Sequence, residues 1–377
     1  MQFEIDRNIL LKSLSHIQGI VERRNTIPIL SNVKIEAKAN IITLTATDMD
    51  VSLSETINTD IQKEGVITVP AHTFHDIVRK LPDNAKILCE FAITENDQNV
   101  LKISSKNCNF TLPVIEAGDF PEIEAENTTS NFKISKKDLL KLLDKAKFAI
   151  STEETRYYLN GIYLHDTENN GKNVLRAVAT DGHRLARIEV DLPEGAKNIP
   201  NIIIPRKTIL EIKKIIDEEN EQSEAHIFIS SSKIKIEYEN STLISKLIDG
   251  NFPDYSRVIP NNNNLILKTK VKPLTTAIDR VSTISSDKGK GIKLSLNKNK
   301  LTLSSDNQET GYAQEELNVE YNENNIETGF NSKYLLELTS VIDGEMAEFH
   351  FASSSAPTIV KDASDPSLLY VIMPMRI

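Results

Sequence analysis

One phrase occurs three times along this chain, and its spacing limits the fold more than any single residue does. An apolar strand residue is followed seven positions later by a leucine that opens a helix, whose inner face continues four and seven residues further on. The copies read Phe3, Ile5, Leu10, Leu14, Ile17, then Phe132, Ile134, Leu139, Leu143, Ala146, then Leu267, Thr269, Leu274, Ile278, Val281. Openings at 3, 132 and 267 divide the 377 residues into thirds, each near the size of an independently folding unit. Three similar domains follow, 1–128, 129–262 and 263–377. Their joints fall at the polar runs Glu124–Ser130 and Asn261–Asn264, the second of which reads as too polar to be core.

A weaker phrase sits halfway through each third, where a β-rich run gives way to a helix. It appears as Val66–Pro70 before Phe74, Ile77, Val78 and Leu81, as Ile202–Pro205 before Ile209 and Ile212, and as Phe330-Asn331 before Leu335 and Leu338. Proline at a helix start loses no needed hydrogen bond, because the first amides of a helix have no internal acceptor. Helices are therefore expected near 7–24, 72–80, 133–147, 205–217, 268–281 and 329–342. Elsewhere apolar residues alternate with a period of two, as in Ile42–Ala46, Ile234–Ile236, Leu294–Leu296 and Leu301–Leu303, which marks strands with one buried face. Asn297–Lys300 reads as a polar hairpin between the last pair. The fold class is α+β, with two helices packed on antiparallel sheets in each third.

A chain of this length with 39% apolar residues can bury a substantial core. The two cysteines, Cys89 and Cys108, lie in expected strands and offer no disulfide framework or zinc spacing. The start Met1-Gln2-Phe3-Glu4 has no basic flank or apolar signal segment, and no run reaches the roughly 18 apolar residues of a membrane span, so a cytoplasmic location is expected. The net charge is −10. Its distribution matters more than its sign: the six helical segments carry an excess of about 13 positive charges, which leaves about −23 on the rest. Segment 133–147 holds Lys133, Lys136, Lys137, Lys141, Lys145 and Lys147 against Asp138 and Asp144. One such helix reads as a solvated face; the same bias in five of six equivalent helices makes a shared nucleic-acid partner an equal reading beside it.

Similar modules joined in series use similar contacts at each joint, so such a chain curves and either spirals or closes. Closure of two copies head to tail gives six domains around a hole, with the helices and their lysines inside. Distributed lysines attract DNA phosphates without fixing a register.

Four stretches carry a family resemblance: Arg156–Gly161 (RYYLNG), Ala179–Ala186 (ATDGHRLA), Ser245–Tyr255 (SKLIDGNFPDY) and Tyr370–Ile377 (YVIMPMRI). In collinear order over the whole chain they resemble the bacterial β sliding clamps, the processivity subunits of DNA polymerase III. The resemblance implies a homodimeric ring around double-stranded DNA, without catalytic residues, metal or cofactor. It implies partners that dock a short apolar peptide: the clamp loader, the DNA polymerase III α subunit, translesion polymerases, ligase and mismatch-repair proteins. The matching groove positions are Leu159, Thr180, Gly182, His183, Arg184, Leu185, Pro253, Arg257, Val258, Asn331, Tyr334, Val371, Met373, Pro374, Met375, Arg376 and Ile377. Two methionines among leucine, valine and proline make an adaptable apolar pocket. For DNA contact the resemblance implies Arg24, Tyr157 and Tyr158, with Glu153 and His72 at the places of a glutamine and an arginine; Arg206, Lys207 and Lys141 are added on charge. At the dimer joint it places Phe110 and Leu112 against Thr283 and Ile284 of the partner. Departures at Gly289, Ser355 and Pro357 bear on peptide preference, and Thr283 is more polar than its usual counterpart.

Other motifs carry less. Asp181 and His183 suit a tight Asp-Gly turn better than acid–base catalysis, since no second cluster of acids or histidines lies near them. His72 and His75 have metal-like spacing with no further ligand, and read as surface or DNA-facing histidines. Gly289-Lys290-Gly291 lacks the remainder of a phosphate loop. The carboxylates are too scattered for two-metal nuclease or nucleotidyl-transfer chemistry.

Overall fold

The computed structural model describes residues 1–23, 26–124, 127–216, 223–285 and 291–376. Arg24, Gly289 and Ile377, singled out above, lie outside the described residues. Six helices are found among the described residues: α1 (Arg7–Ile20), α2 (Ala71–Lys80), α3 (Lys136–Asp144), α4 (Arg206–Ile216), α5 (Val271–Ser282) and α6 (Ser332–Thr339). Each falls inside or close to its expected segment. The expected 133–147 helix is shorter because Phe132 and Ile134 continue the strand Ser130–Ser135, both with buried side chains. All fifteen residues of the threefold phrase are buried, Thr269 included. A helix with apolar residues at i, i+4 and i+7 presents one stripe, and that stripe is what each sheet covers.

Local chemistry sets the helix starts. Asp6 Oδ1 accepts from Asn8 N at 2.8 Å and Ile9 N at 3.3 Å at the head of α1. Asn331 Oδ1 accepts from Lys333 N at 3.0 Å at the head of α6. Such caps satisfy amides that have no acceptor inside the helix.

The chain packs as two compact units. The first comprises Met1–Lys137, Glu194–Pro200 and Lys207–Leu247. It holds a five-stranded antiparallel sheet ordered Asp60–Lys63, Gln2–Asp6, Lys86–Ile93, Asn99–Ser105, Cys108–Pro113. Its eight-stranded sheet runs Ser130–Ser135, Glu224–Ile229, Lys233–Tyr238, Ser241–Lys246, Val51–Asn58, Ile41–Thr47, Asn32–Lys38, Gly65–Pro70. Here α1 packs on α2 and on the Ile41–Thr47 and Val51–Asn58 strands.

The second unit comprises Asp138–Pro193, Asn201–Arg206 and Ile248–Ile377. Its eight-stranded sheet runs Ile202–Pro205, Gly161–Asn169, Lys172–Thr180, Arg184–Asp191, Asp365–Ile372, Thr358–Asp362, Met346–Phe351, Leu265–Lys270. A four-stranded sheet follows the order Gly311–Asn318, Lys300–Asn307, Gly291–Asn297, Ile326–Asn331, and α5 packs on α6 and against this sheet. The expected hairpin closes through Lys298 and Asn299, the latter at φ 56°.

Each eight-stranded sheet joins segments distant in sequence. In the first unit Ser241–Lys246 pairs with Val51–Asn58, and in the second Arg184–Asp191 pairs with Asp365–Ile372. Two expectations need correction. Asn263 is buried rather than surface, because its Nδ2 donates to the carbonyls of His350 and Pro357, each at 2.8 Å. His75 is buried too, with Nε2 facing Gln18 Nε2 at 3.2 Å and Ser15 Oγ at 3.4 Å.

Candidate functional site

The second unit's strand joint has an apolar face where solvent would be expected. Leu185 stands opposite Val371, and Val371 opposite Ile359. With Val178 and Leu369 they form one buried cluster, roofed by Tyr163, Phe252, Tyr255 and Ile259. The neighbouring Ala186 and Tyr370, which point to the other face, are also fully buried. A strand joint buried on both faces therefore marks this place.

The first unit supplies the contrast. At its joint Ser52 stands opposite Ile244 and Ile244 opposite Lys235, while Thr45 and Thr242 hold the places of Val178 and Leu369. The turns match atom for atom. Thr180 Oγ1 donates to Arg184 O at 2.7 Å and accepts from Gly182 N, and Asp181 Oδ1 accepts from His183 N and Arg184 N. Thr47 likewise donates to Val51 O and accepts from Met49 N, and Asp48 Oδ1 accepts from Asp50 N and Val51 N. Both turns centre on a positive φ, 86° at Gly182 and 78° at Met49. The turn explains Asp181 without catalysis, and only the second unit adds an apolar floor to it.

The floor has three walls. One is the segment around Pro253, Arg257 and Val258, in which Val258 is 50% exposed. It holds the 3₁₀ turn Tyr255–Val258, capped by Asp254, whose carboxylate also takes Arg257 Nε at 2.9 Å. Those bonds from Ser256 and Arg257 keep the Asp254 carboxyl below the usual carboxylate range.

The second wall is the chain end. Met373 N donates to His183 O and Met375 N to Gly329 O, both at 2.8 Å, which pins the backbone on either side of Pro374. The Met373 side chain stays 41% exposed, and Arg376 is exposed.

The third wall is a stack. The Arg184 guanidinium lies 4.3 Å from the Tyr334 ring centre and 5.1 Å from that of Phe148, and it pairs with Asp181 and Glu337. Arg184 is thus a buried, fully engaged strut. His183 stacks beside Tyr334 at 6.2 Å. A polar recess of about 330 Å³ adjoins, lined in part by Ser151, Glu153, His183, Arg206, Lys333 and Tyr334. Leu159 is buried, and Asn331 is occupied as the cap of α6.

The DNA-contact candidates separate by availability. Tyr157 is 54% exposed, with Tyr158 edge-on at 5.8 Å, so a core role does not fit Tyr157. Arg206 is exposed. Lys141 is not open to solvent as expected: its Nζ sits 2.6 Å from Asp365 in a partly buried pair. Lys207 Nζ is held by Asp48 at 2.5 Å and by Ile20 O at 3.0 Å. Glu153 pairs with Arg156 at 2.6 Å, and that bond holds its carboxyl below the usual range. His72 Nε2 faces Val21 O at 3.0 Å.

At the expected dimer joint Phe110 is 37% exposed on the edge strand Cys108–Pro113, whereas Leu112 is 4% exposed and belongs to its own core. Thr283 Oγ1 donates to Asp279 O, and Ile284 O accepts from Thr310 Oγ1. Among the described residues no three His, Cys, Asp or Glu side chains gather as a metal site, and no helix is long and apolar enough to cross a membrane. Sequence reasoning missed Tyr163, His165, Arg176, Glu189, Phe252 and Tyr255; the available signal was the pair of aromatic residues flanking Pro253-Asp254.

Family models for the N-terminal, central and C-terminal domains of the DNA polymerase III beta subunit match residues 1–124, 133–254 and 256–376. The beta sliding clamp of Caulobacter vibrioides is 45% identical over the full length of both chains, and that of Pseudomonas aeruginosa 37%. A Caulobacter crescentus clamp crystallised with polyethylene glycol superposes with a TM-score of 0.95 at 45% identity, covering 100% of this chain and 99% of that one. A Bartonella birtlesii clamp bound to griselimycin gives 0.95 at 41%, with both chains fully covered.

The chain belongs to the β sliding clamp family.

It is a DNA sliding clamp built of three clamp domains, a processivity factor of DNA polymerase III that performs no catalysis. It works as a homodimer that encircles duplex DNA and tethers the polymerase.

Proposed function

We propose that the apolar floor at Val178, Leu185, Ile359, Leu369 and Val371, with its three walls, is where this clamp receives the apolar peptides of its partners. Met373 and Val258 supply exposed apolar contact, while His183 and Arg257 orient the peptide at the rim. Leu159, Arg184 and Asn331 serve from behind, since their side chains are buried or engaged. The observation that carries this reading is the difference between the two strand joints: the same turn and the same pairing, but an apolar outer face in only one of them. Apolar side chains with a few polar groups at their edge are the usual make-up of a ligand site.

DNA contact falls to exposed groups, Tyr157 and Arg206 among those described. The dimer joint uses the edge strands Cys108–Pro113 and Gly311–Asn318, with Phe110 as the apolar contact in place of Leu112. Domain limits of 1–128, 129–262 and 263–377 and a cytoplasmic location complete the reading.

Griselimycin, the ligand of the Bartonella relative, tests the groove. Met373→Lys places a charge on the exposed rim of the floor and should weaken griselimycin binding at least tenfold by calorimetry, with the dimer unchanged in sedimentation. Unaltered affinity would place the groove elsewhere.

A further inference from the structure

The groove wall at Pro253–Val258 is a short segment with one 3₁₀ turn, so something outside it must hold it in place. Phe252 lies flat on Tyr163, with ring centres 4.8 Å apart and planes at 2°. Tyr255 does more. Its hydroxyl lies 3.0 Å from His165 Nε2 and 2.8 Å from Arg176 Nη1.

Only one arrangement of protons satisfies every member of this group. His165 Nδ1 faces the Asp166 carbonyl at 3.1 Å, which can only accept, so Nδ1 carries the hydrogen. Nε2 is then bare and accepts from the Tyr255 hydroxyl, whose oxygen accepts from Arg176. Arg176 is fixed in turn by Glu189 Oε1, through Nε at 2.7 Å and Nη2 at 2.6 Å. Asn169 Nδ2 occupies Glu189 Oε2 at 2.6 Å. The series ties the loop to three strands, Gly161–Asn169, Lys172–Thr180 and Arg184–Asp191.

We propose that Tyr255 is a positioning residue for peptide capture: a latch that holds the Pro253–Val258 wall against the groove floor through His165 and Arg176. This rests on the groove assignment above. In this role Tyr255 sets where Pro253 and Val258 stand.

The latch requires a neutral His165. Burial pushes His165 below the usual histidine range, and it outweighs the hydrogen bond to the Asp166 carbonyl. Among the charged neighbours, Arg176 acts with burial, while the carboxylates of Asp166 and Glu189 oppose it. Arg187, on the same sheet face, pairs loosely with Glu189 at 3.4 Å, and the rings of Tyr163 and Tyr255 flank the imidazole. Protonation puts a second hydrogen on the ring, so Nε2 can no longer accept from Tyr255. The latch is therefore intact at neutral pH and weakens as pH falls through the folded His165 value, where the Tyr255 O–H loses its acceptor.

Tyr255→Phe keeps the ring and removes only the hydroxyl. At pH 7.5 the same titration used for the groove should show five- to tenfold weaker binding, about the effect of leaving one buried partner unsatisfied. The ratio between wild type and Tyr255→Phe should shrink as pH falls through the folded His165 value, because acid then weakens the wild-type latch as well. Equal affinity at pH 7.5, or a ratio that grows as pH falls, overturns the latch. Met373→Lys measured alongside separates the causes: if it too binds as wild type, the groove assignment is what failed.

Discussion

Lys141 and Asp365 meet at 2.6 Å with both side chains about three-quarters covered, an ion pair inside the second unit. Burial by itself would push the Asp365 carboxyl up, but bonds from Lys141 and Ser367 outweigh it and hold the group below the usual carboxylate range. A carboxyl with a depressed folded pKa contributes stability above its unfolded value, near 4, and loses it as pH falls through the folded value. Asp365→Asn should therefore melt below wild type at pH 7, with the gap closing as pH falls below about 4 and through the folded value. Thermal melts over a pH series measure it, and equal melting at pH 7 would mean the pair does not couple to folding. The lysine's charge was legible in the sequence and its partner was not, because the sheet brings together residues from opposite ends of the second unit. Lys207 and Asp48 repeat the point. Charge counts locate a basic helix, but the fold decides which of its charges remain to meet a phosphate.

Strands and helices were far more legible, because their periods are written in adjacent residues. The threefold phrase gave the first helix of each third, and the alternation at Leu294–Leu303 gave a hairpin with its turn in the right place. What alternation cannot give is which strand ends a sheet. Among the described residues Cys108–Pro113 and Gly311–Asn318 each pair on one side only, and an unpaired edge with an exposed aromatic residue is a template for another chain. Leu112 shows the limit of residue type as a guide: it shares a strand with Phe110, yet only Phe110 is far enough along to leave its own core. Phe110→Asp should raise the dimer dissociation constant at least tenfold and shift sedimentation toward monomer, while Leu112→Ala should lower the melting temperature first. A dimer indifferent to Phe110→Asp would rule this edge out of the joint.

At the scale of the whole molecule, the net charge of −10 opposes DNA and the family's function requires it. The two are compatible only if retention does not depend on phosphate contacts. A protein that holds DNA by neutralising phosphates loses affinity steeply with salt, by roughly 0.9 in log–log slope per contact. A closed ring loses nothing of the kind, since topology is not screened. Lys141 and Lys207, two of the cations singled out on charge, are paired internally, which reduces the contact term. Clamp loaded on a nicked circular plasmid should therefore show nearly the same dwell time at about 0.05 M and 0.5 M salt, where the screening length falls from roughly 14 Å to 4 Å. Cutting the plasmid once should release it within the time needed to slide to an end. A dwell time that fell with salt on the circle as fast as on the linear product would mean that contacts, not enclosure, hold the DNA, and the basic bias of the helices would then have to be explained as binding after all.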